Sequence, residues 1–271
     1  MRQTLTDGPV VSIRDVGKTY SSGTTALQNI YLDVAPHDFV SLVGPSGCGK
    51  STLLRIIAGL GDATSGSVTV NGETPTSPKA RQSLGYVFQD ANLLPWHNVQ
   101  DNVALPLELG GVGKNKRREA AEEVLELVGL SDFAHAYPRE LSGGMRMRVS
   151  IARALVTEPQ LILMDEPFGA LDEITRQRLN QELLGIKKQT GATVIFVTHN
   201  VFEAVYLSKR IAIMSAQPGR IVHTVSVEAD AERTPDFRGT DVFSRTVVEV
   251  TEVLERGIAR PDTAQQKEQV A

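Results

Sequence analysis

The sequence predicts an α/β domain built on a mostly parallel central sheet, and two patterns in the chain support this prediction. Short runs rich in β-branched residues alternate with segments of helical length, which is typical of strands and helices packed in layers. Several of these runs are continuously apolar, as strands buried on both faces of a parallel sheet tend to be. With 271 residues, 41 % of them apolar, the chain is long enough for one large domain or two small ones.

Seven runs have the length and composition of strands. In chain order they read VVSIRDV, FVSLVG, GSVTVNG, LGYVFQ, LILMDEP, ATVIFVTHN and RIAIMS. We expect the first two runs, together with GSVTVNG, to form a small antiparallel part beside the parallel sheet.

Four segments show the spacing of helices, and each has a residue that ends it. KSTLLRIIAGL ends at Gly59 and Gly61, and KRREAAEEVLELVGL ends at Gly129. SGGMRMRVSIARALVTEP ends before Pro159, and DEITRQRLNQELLGIKKQTG ends at Gly191. Glycine and proline stop these helices because glycine adopts left-handed backbone and proline lacks the N–H that a helix needs.

The composition changes after about residue 222. The segment TVSVEADAERTPDFRGTD is polar and acidic, and RPDTAQQKEQVA has the composition of a disordered chain. Between them, DVFSRTVVEVTEVLERG predicts a short amphipathic helix. We therefore expect a main domain over residues 1–222 and a partly disordered C-terminal extension over residues 223–271.

Charge and composition narrow the class of protein. The formal net charge is -4, so nothing in the overall balance calls for nucleic acid as a partner. The first residues lack the apolar stretch of a secretory signal, and no run approaches the ~20 apolar residues that span a bilayer. Cys48 is the only cysteine, which excludes an internal disulfide. These features predict a cytoplasmic protein and leave peripheral attachment to a membrane protein open.

A glycine-rich loop after FVSLV matches the phosphate-binding pattern G-x-x-x-x-G-K-[ST] without a gap. Its glycines let backbone N–H groups turn toward phosphate oxygens, and the positive end of the next helix faces the same anion. We expect Lys50 to reach the β- and γ-phosphates, Ser51 to offer its hydroxyl to Mg²⁺, and Thr52 to lie near the α-phosphate. The alternative is a chance glycine-rich turn. The loop consists of Gly44, Pro45, Ser46, Gly47, Cys48, Gly49, Lys50 and Ser51.

The run LILMDEP ends in two adjacent carboxylates, Asp165 and Glu166. A buried apolar strand that ends in this way is costly unless something nearby needs negative charge. We expect Asp165 to hold Mg²⁺ and Glu166 to act as general base toward an attacking water. The alternative is a solvated strand end, where acidic residues are common.

His199 ends ATVIFVTHN in a similar position. Ligands gather at the carboxyl ends of strands in open α/β sheets, so the loop, the acid pair and this histidine are expected at one edge. His199 would there sense the γ-phosphate or orient Glu166. The alternative is a structural histidine.

The segment YPRELSGGMRMRVSIARAL, residues 137–155, resembles the ATP-binding cassette (ABC) ATPases. LSGGM is similar to the signature motif of that family, and it lies between the phosphate loop and the acid pair as the family requires. The resemblance covers roughly residues 10–222 and implies an ABC-type P-loop NTPase with an inserted helical subdomain over about residues 90–158. ATP and Mg²⁺ are the implied ligands.

The resemblance also implies roles for single residues. Gln89, which follows LGYVF, corresponds to the Q-loop and would face the metal and the reacting water. Asp172 of the ALD segment corresponds to the D-loop, His199 to the switch histidine, and Tyr20 to the aromatic residue that stacks on adenine.

The signature residues Ser142, Gly143 and Gly144 stand at the start of a helix and form a second anion site by the logic of the phosphate loop. In the family, each ATP lies between the loop of one copy and the signature of another, which implies a head-to-tail homodimer with two nucleotides. In isolation LSGG also reads as an ordinary serine cap. Met145 departs from the usual Gln of the motif. We expect hydrolysis to survive this change, because Ser142 and the glycines make the main phosphate contacts, and communication across the dimer to be weaker or altered.

The family resemblance implies membrane partners. The cluster Leu93–Trp96 lies in the region that contacts a transmembrane permease in this family, and an exposed apolar patch with an aromatic anchor suits a partner. The alternative places Trp96 in the core of the helical subdomain. A periplasmic or surface solute-binding protein would take part indirectly, and the subunit would lie on the cytoplasmic face of the membrane.

LLPWHNVQDNV together with the signature is similar to the nitrate, sulfonate and taurine group of bacterial ABC importers. An ABC protein of DNA repair or translation would need a coiled-coil insertion or two cassettes. A small-molecule kinase has no use for LSGG, and an exporter half would carry membrane segments.

Overall fold

The structure is a computed structural model that describes residues 8–227 and 233–258. The strands of the described residues are β1 (Val11–Thr19), β2 (Thr25–Val34), β3 (Phe39–Val43), β4 (Ser65–Val70), β5 (Leu84–Val87), β6 (Leu161–Asp165), β7 (Thr193–Thr198), β8 (Arg210–Met214) and β9 (Ile221–Ser226). The helices are α1 (Lys50–Ile57), α2 (Pro78–Gln82), α3 (Val99–Leu109), α4 (Lys114–Leu127), α5 (Gly143–Leu155), α6 (Glu173–Thr190), α7 (Val201–Leu207) and α8 (Asp241–Ile258). Short 3₁₀ helices cover Ser131–Phe133, Pro138–Glu140 and Pro235–Gly239.

The main sheet has six strands in the order β5-β6-β7-β3-β8-β9. All neighbours run parallel except β8 and β9, which pair antiparallel at one edge. Every residue of β3, β6 and β7 is buried, because helices or the second sheet cover both faces. The predicted α/β class with a mostly parallel sheet is confirmed.

The second sheet is antiparallel, with the order β2-β1-β4. The run VVSIRDV and the run GSVTVNG belong to it as β1 and β4, but the assignment of FVSLVG to this sheet is wrong. FVSLVG is β3, in the middle of the parallel sheet, because its apolar residues are buried on both faces. The third member is β2, whose mixed, partly alternating burial suits a sheet with one face toward the core.

Two apolar clusters lie on either side of the main sheet. One cluster packs the small sheet and α1 against one face of the main sheet. The other cluster packs helices α3 to α7 against the opposite face. The helices α3, α4 and α5 stand between β5 and β6 in the chain, where a helical insertion was expected.

The predicted helix ends agree with the structure. α6 stops at Gly191, whose φ of 66° is left-handed, and Gly59 and Gly129 follow α1 and α4 with similar angles. α5 ends at Leu155, before Pro159.

The C-terminal helix α8 covers the segment DVFSRTVVEVTEVLERG and packs against α7, β8 and β9. The rings of Phe237 and Phe243 lie edge to face with centroids 5.5 Å apart, and Phe237 also faces Tyr206 of α7. The expected disorder of the final segment concerns residues 260–271, which lie outside the described residues. Among the residues that are described, no helix combines the length and the apolar character that a membrane span requires.

A candidate site for nucleotide binding and hydrolysis

The phosphate loop connects β3 to α1, and two of its glycines are required by close contacts. A Cβ added at Gly44 would lie 2.9 Å from Cys48 Sγ and 2.9 Å from Met214 O. At Gly49, where φ is 99°, an added Cβ would lie 2.9 Å from Ala26 O. The loop is therefore fixed by its own tight packing, and it presents the N-terminus of α1 to whatever it binds.

Lys50 is the first residue of α1, and its side chain folds back over the loop. Its Nζ donates to Gly44 O at 2.8 Å and to Pro45 O at 3.0 Å, and the residue is only 4 % exposed. Cys48 is also buried, and burial raises the pKa of its thiol, so the thiol stays neutral beside the ammonium. The loop thus holds one buried positive charge at its centre.

Asp165 and Ser51 form the second part of the site. Ser51 Oγ donates to Asp165 Oδ1 at 2.7 Å, and Asp165 is the last residue of β6. The Tyr86 hydroxyl donates to Asp165 Oδ2 at 3.4 Å, and burial, with the nearby Asp165 charge, raises the pKa of Tyr86. Tyr86 therefore stays protonated and positions the carboxylate, a role that the sequence analysis missed.

The donor set suits a hard divalent cation. A hydroxyl and a carboxylate oxygen within hydrogen-bond distance are ligands that Mg²⁺ prefers, and Mg²⁺ usually completes its shell with water and phosphate oxygens. Within residues 8–227 and 233–258 there is no cluster of three or more His, Cys, Asp or Glu residues able to hold a metal. Ser51 and Asp165 thus fit a metal that arrives with a phosphate ligand.

Glu166 lies between two groups that can act with it. Its Oε1 is 3.9 Å from Lys50 Nζ, and its Oε2 is 2.9 Å from His199 Nδ1. The backbone of Glu166 is left-handed, with φ of 46°, and its N–H donates to Val197 O at 3.0 Å. A left-handed non-glycine residue costs of order 1–3 kcal/mol and persists only where the surroundings enforce it. The neighbouring strand β7 supplies that enforcement and also carries His199 at its end.

Gln89 and Tyr20 lie at the margin of this arrangement. Gln89 is exposed and stands two residues after β5, which pairs with β6, so it lies at the sheet edge that carries Asp165. Tyr20 is 44 % exposed, and its hydroxyl is 3.1 Å from Thr52 Oγ1. The ring of Tyr20 therefore lies beside the loop, and Lys18 Nζ lies over one of its faces, 5.4 Å from the centroid.

The signature residues cap α5. Ser142 is the N-cap, and its Oγ accepts from Met145 N at 3.3 Å. Ser142 and Gly143 are exposed, whereas a Cβ added at Gly144 would come within 2.9 Å of Thr175 Cγ2 on α6. No hydrogen bond within the described ranges joins these residues to the phosphate loop. The two candidate anion surfaces of one chain are thus separate.

Met145 and Asp172 have local structural reasons for their types. The Met145 side chain is partly buried and packs against the larger apolar cluster, which explains an apolar residue at this position. Asp172 is the N-cap of α6, and its Oδ1 accepts from Thr175 N at 3.0 Å. That hydrogen bond lowers the pKa of Asp172, so its exposed carboxylate stays ionised.

Trp96 is 69 % exposed, so the alternative that placed it in the helical core is wrong. Leu93, earlier in the same loop, packs against the apolar cluster and anchors the loop. Arg153 donates to Ala91 O at 2.7 Å and to Asn92 O at 2.8 Å, a clamp that no pattern in the sequence indicated.

The strand–loop–helix unit and the acid pair define the class of protein. A loop that follows the phosphate pattern, with a strand-end Asp165 bonded to the loop serine, is the site of a P-loop nucleoside triphosphatase. Residues 27–169, more than half of the chain, match the family model of ABC transporters. The chain belongs to the ATP-binding cassette family, and it is a transporter ATPase.

Individual relatives agree with this assignment. The aliphatic sulfonates import ATP-binding protein of Bacillus subtilis is 46 % identical over 234 residues, which cover 85 % of this chain and 90 % of that protein. An uncharacterized ABC transporter ATP-binding protein of Methanocaldococcus jannaschii is 50 % identical over 208 residues, 77 % of each chain. A solved cassette, described as a dimeric post-hydrolysis state bound to ADP and Pi, has a TM-score of 0.72 at 36 % identity and covers 81 % of this chain and 99 % of its own. The resemblance to ABC ATPases is confirmed.

Proposed function

We propose that this chain is the ATP-hydrolysing subunit of a bacterial ABC importer for a small solute of the nitrate, sulfonate or taurine kind. The name of the Bacillus subtilis relative, an aliphatic sulfonates import protein, supports a sulfonate within that group. Solute choice belongs to a separate permease and a solute-binding protein. The present chain supplies the energy, on the cytoplasmic face of the membrane.

The placement of Glu166 carries the proposal. Its carboxylate lies between Lys50, which would hold the β- and γ-phosphates, and His199, which fixes one of its oxygens. In this role Glu166 accepts the proton of the water that attacks the γ-phosphate. A water-activating base beside a buried lysine is what an ATPase requires.

The other site residues would bind and orient ATP. Ser51, Asp165 and Gln89 would hold Mg²⁺, which when bound neutralises charge on the β- and γ-phosphates. The backbone amides of the loop and Thr52 would bind phosphate oxygens, and Tyr20 would stack on the adenine ring. His199 would keep Glu166 oriented through the 2.9 Å contact to its Oε2.

We propose a head-to-tail homodimer as the hydrolysing form. Ser142 and Gly143 are exposed at the start of α5 and bind nothing in their own phosphate loop, so their amides suit the γ-phosphate held by a second copy. The dimeric state of the solved cassette with 36 % identity supports this arrangement. Two ATP molecules would then lie between the copies, with Asp172 at the same interface.

We divide the chain into an ATPase domain over residues 1–222, with a helical subdomain over about 90–158, and an extension over 223–271. The helices α3, α4 and α5 support the subdomain. The packing of α8 on α7 supports an extension that braces the ATPase domain.

The loop before α3 is the proposed contact with the permease. Asn102 is fully buried, and its Oδ1 accepts from Leu94 N. The two hydrogens of its Nδ2 are shared among Leu94 O, His97 O and Asn98 O, which lie 3.0–3.1 Å away. This internal network makes the loop rigid while Trp96 points outward. A cleft of about 520 Å³ lies between β5, α3 and α5, and its walls include Leu84, Leu107 and Arg153, the residue that bonds the start of the same loop. An exposed tryptophan on a loop held by internal hydrogen bonds suits a protein partner.

The variant Glu166→Gln tests the hydrolytic role. It should bind ATP with nearly normal affinity, hydrolyse it very slowly, and accumulate as an ATP-bound dimer visible by size-exclusion chromatography. Glu249→Gln, which removes an exposed carboxylate on α8, is the matched control and should behave as wild type. Normal turnover in Glu166→Gln would show that Glu166 is not the general base. A variant that stays monomeric in the presence of ATP would contradict the proposed homodimer.

Trp96→Ala tests the permease contact. It should leave ATP binding intact and reduce recovery of the chain with its permease from detergent-solubilised membranes. Tyr31→Ala, at an aromatic residue of β2 that is 55 % exposed, is the control. Equal recovery of the two variants would exclude Trp96 from the contact.

A further inference from the structure

A buried acid on α7 has no place in the mechanism above. Glu203 is 5 % exposed, and its Oε2 accepts a hydrogen bond from the Thr198 hydroxyl at 2.5 Å. Among the described residues, no cation lies within ion-pair distance of its carboxyl group. Glu203 Oε1 and the buried Oδ1 of Asn180 on α6 are both acceptors without a hydrogen-bond partner.

Glu203 is tied to both neighbours of His199. Thr198 Oγ1, which donates to Glu203, also accepts from Asn200 N at 3.0 Å. The Asn200 side chain closes the ring, because its Oδ1 accepts from Glu203 N at 3.2 Å. The Glu203 carboxylate therefore holds Thr198 directly and Asn200 through the Thr198 hydroxyl, while Asn200 caps α7 at the Glu203 N–H. The His199 ring between them contacts Glu166.

The charge state of Glu203 follows from its surroundings. A buried ionised carboxylate without a paired cation is costly, and buried acids of this kind take up a proton. Burial raises the pKa of Glu203. The Thr198 hydroxyl and the nearby Asn180 side chain favour ionisation, followed by the charges of Arg176 on α6 and His199, which lie too far away to pair with the carboxyl group. Burial outweighs them together. A proton on the carboxyl removes the buried charge and turns one acceptor into a donor.

We propose that Glu203 is a positioning residue for His199 and that it acts as a neutral carboxylic acid. Its carboxyl group holds Thr198, which keeps the turn at residues 198–200 in the conformation that brings His199 to Glu166. The proposal rests on the function assigned above to His199 and adds a residue that does not touch ATP.

The first test is the pH dependence of unfolding of the full chain. An acid whose pKa is higher in the folded state stabilises fully below its unfolded pKa, and this contribution is lost as pH rises toward the folded pKa. The pKa of a glutamate in an unfolded chain is about 4.3. As pH rises above that value, the free energy of unfolding of the wild type should therefore fall relative to that of Glu203→Gln. Glu249→Gln, at an exposed site, should show the slope of the wild type. A Glu203→Gln protein that is destabilised at every pH with an unchanged slope would overturn the neutral state.

The second test separates positioning from simple structural support. Glu203→Gln should keep kcat, while Thr198→Val and Glu203→Leu should lower kcat about tenfold with unchanged ATP affinity, as expected for one lost hydrogen bond. Unchanged kcat per bound ATP in both of these variants would overturn the positioning role, provided that His199→Ala is impaired. If His199→Ala itself turns over normally, the function proposed for His199 fails instead.

Discussion

Arg153 offers a sharp perturbation, because it joins the signature helix to the loop that carries Trp96. Arg153 lies in the last turn of α5, and its two Nη atoms donate to Asn92 O and Ala91 O at 2.8 and 2.7 Å. Arg153→Met keeps most of the apolar stem and removes both donors. Arg153→Lys keeps the charge but lacks the planar fork that reaches two carbonyl groups at once.

The magnitude follows from the surroundings of the two bonds. Hydrogen bonds from a charged donor contribute about 1.5–3 kcal/mol each. Burial lowers the pKa of Arg153, which signals a desolvation cost that methionine does not carry, and Asn92 is exposed so that water can replace one bond. We therefore expect a net loss of about 1–2 kcal/mol, confined to the loop. An equilibrium between ordered and disordered loop would shift by about 5–30-fold.

The assay is affinity for the permease, measured by titrating the full chain against the solubilised permease. If the permease binds only the ordered loop, Arg153→Met should weaken binding by up to the same 5–30-fold, and Arg153→Lys should lie between it and the wild type. ATP affinity should not change, because Arg153 lies at the far end of α5 from the signature. Equal permease affinity in wild type and Arg153→Met would refute the idea that the loop must be held in place.

Three further predictions concern the nucleotide site. Lys50→Ala should weaken ATP binding by about 10–100-fold in calorimetry, because a charge-assisted contact to phosphate is lost. Unchanged affinity would show that the glycine-rich loop does not bind the phosphates of ATP. Ser142→Arg should abolish hydrolysis but leave ATP binding to the monomer intact, and a hydrolysing variant would contradict the shared site. Gly144→Ala should lower the free energy of unfolding by about 1–3 kcal/mol through its contact with Thr175 Cγ2, and Thr175→Ser, which removes that methyl group, should restore it in urea titrations. A loss that persists in the double variant would place the need for Gly144 elsewhere.

The sequence predicted elements best where burial is continuous. The strands β3, β6 and β7 are apolar throughout, so their runs stand out without knowledge of their neighbours. β9 was missed because it is largely exposed at the sheet edge, and β2 because polar residues interrupt it. The seven residues of α7 make fewer than two full turns, too few for a helical period to be visible.

In the candidate site, the sequence predicted the residues that are contiguous in the chain and missed the contacts between distant residues. The phosphate loop is contiguous, so its residues are readable as one pattern. The Tyr86–Asp165 and Arg153–Ala91 bonds link residues 79 and 62 positions apart, and no spacing in the chain announces them. The sequence left the location of Trp96 open, because a tryptophan can lie either in a core or on a partner-binding surface. Only the packing of its neighbours determines which side faces out.

One helix links the two halves of the proposed function. α5 has 13 residues and is therefore about 20 Å long, with Ser142 capping its start and Arg153 near its end. Beyond Gly144 it contains no glycine or proline at which it would bend, and its buried face includes Met147 and Ile151. A rigid helix moves as one body. If the nucleotide of a second copy binds at Ser142 and moves α5, the loop that Arg153 holds at the other end of the helix would move with it. Under the proposed function, this displacement is how ATP binding reaches the permease.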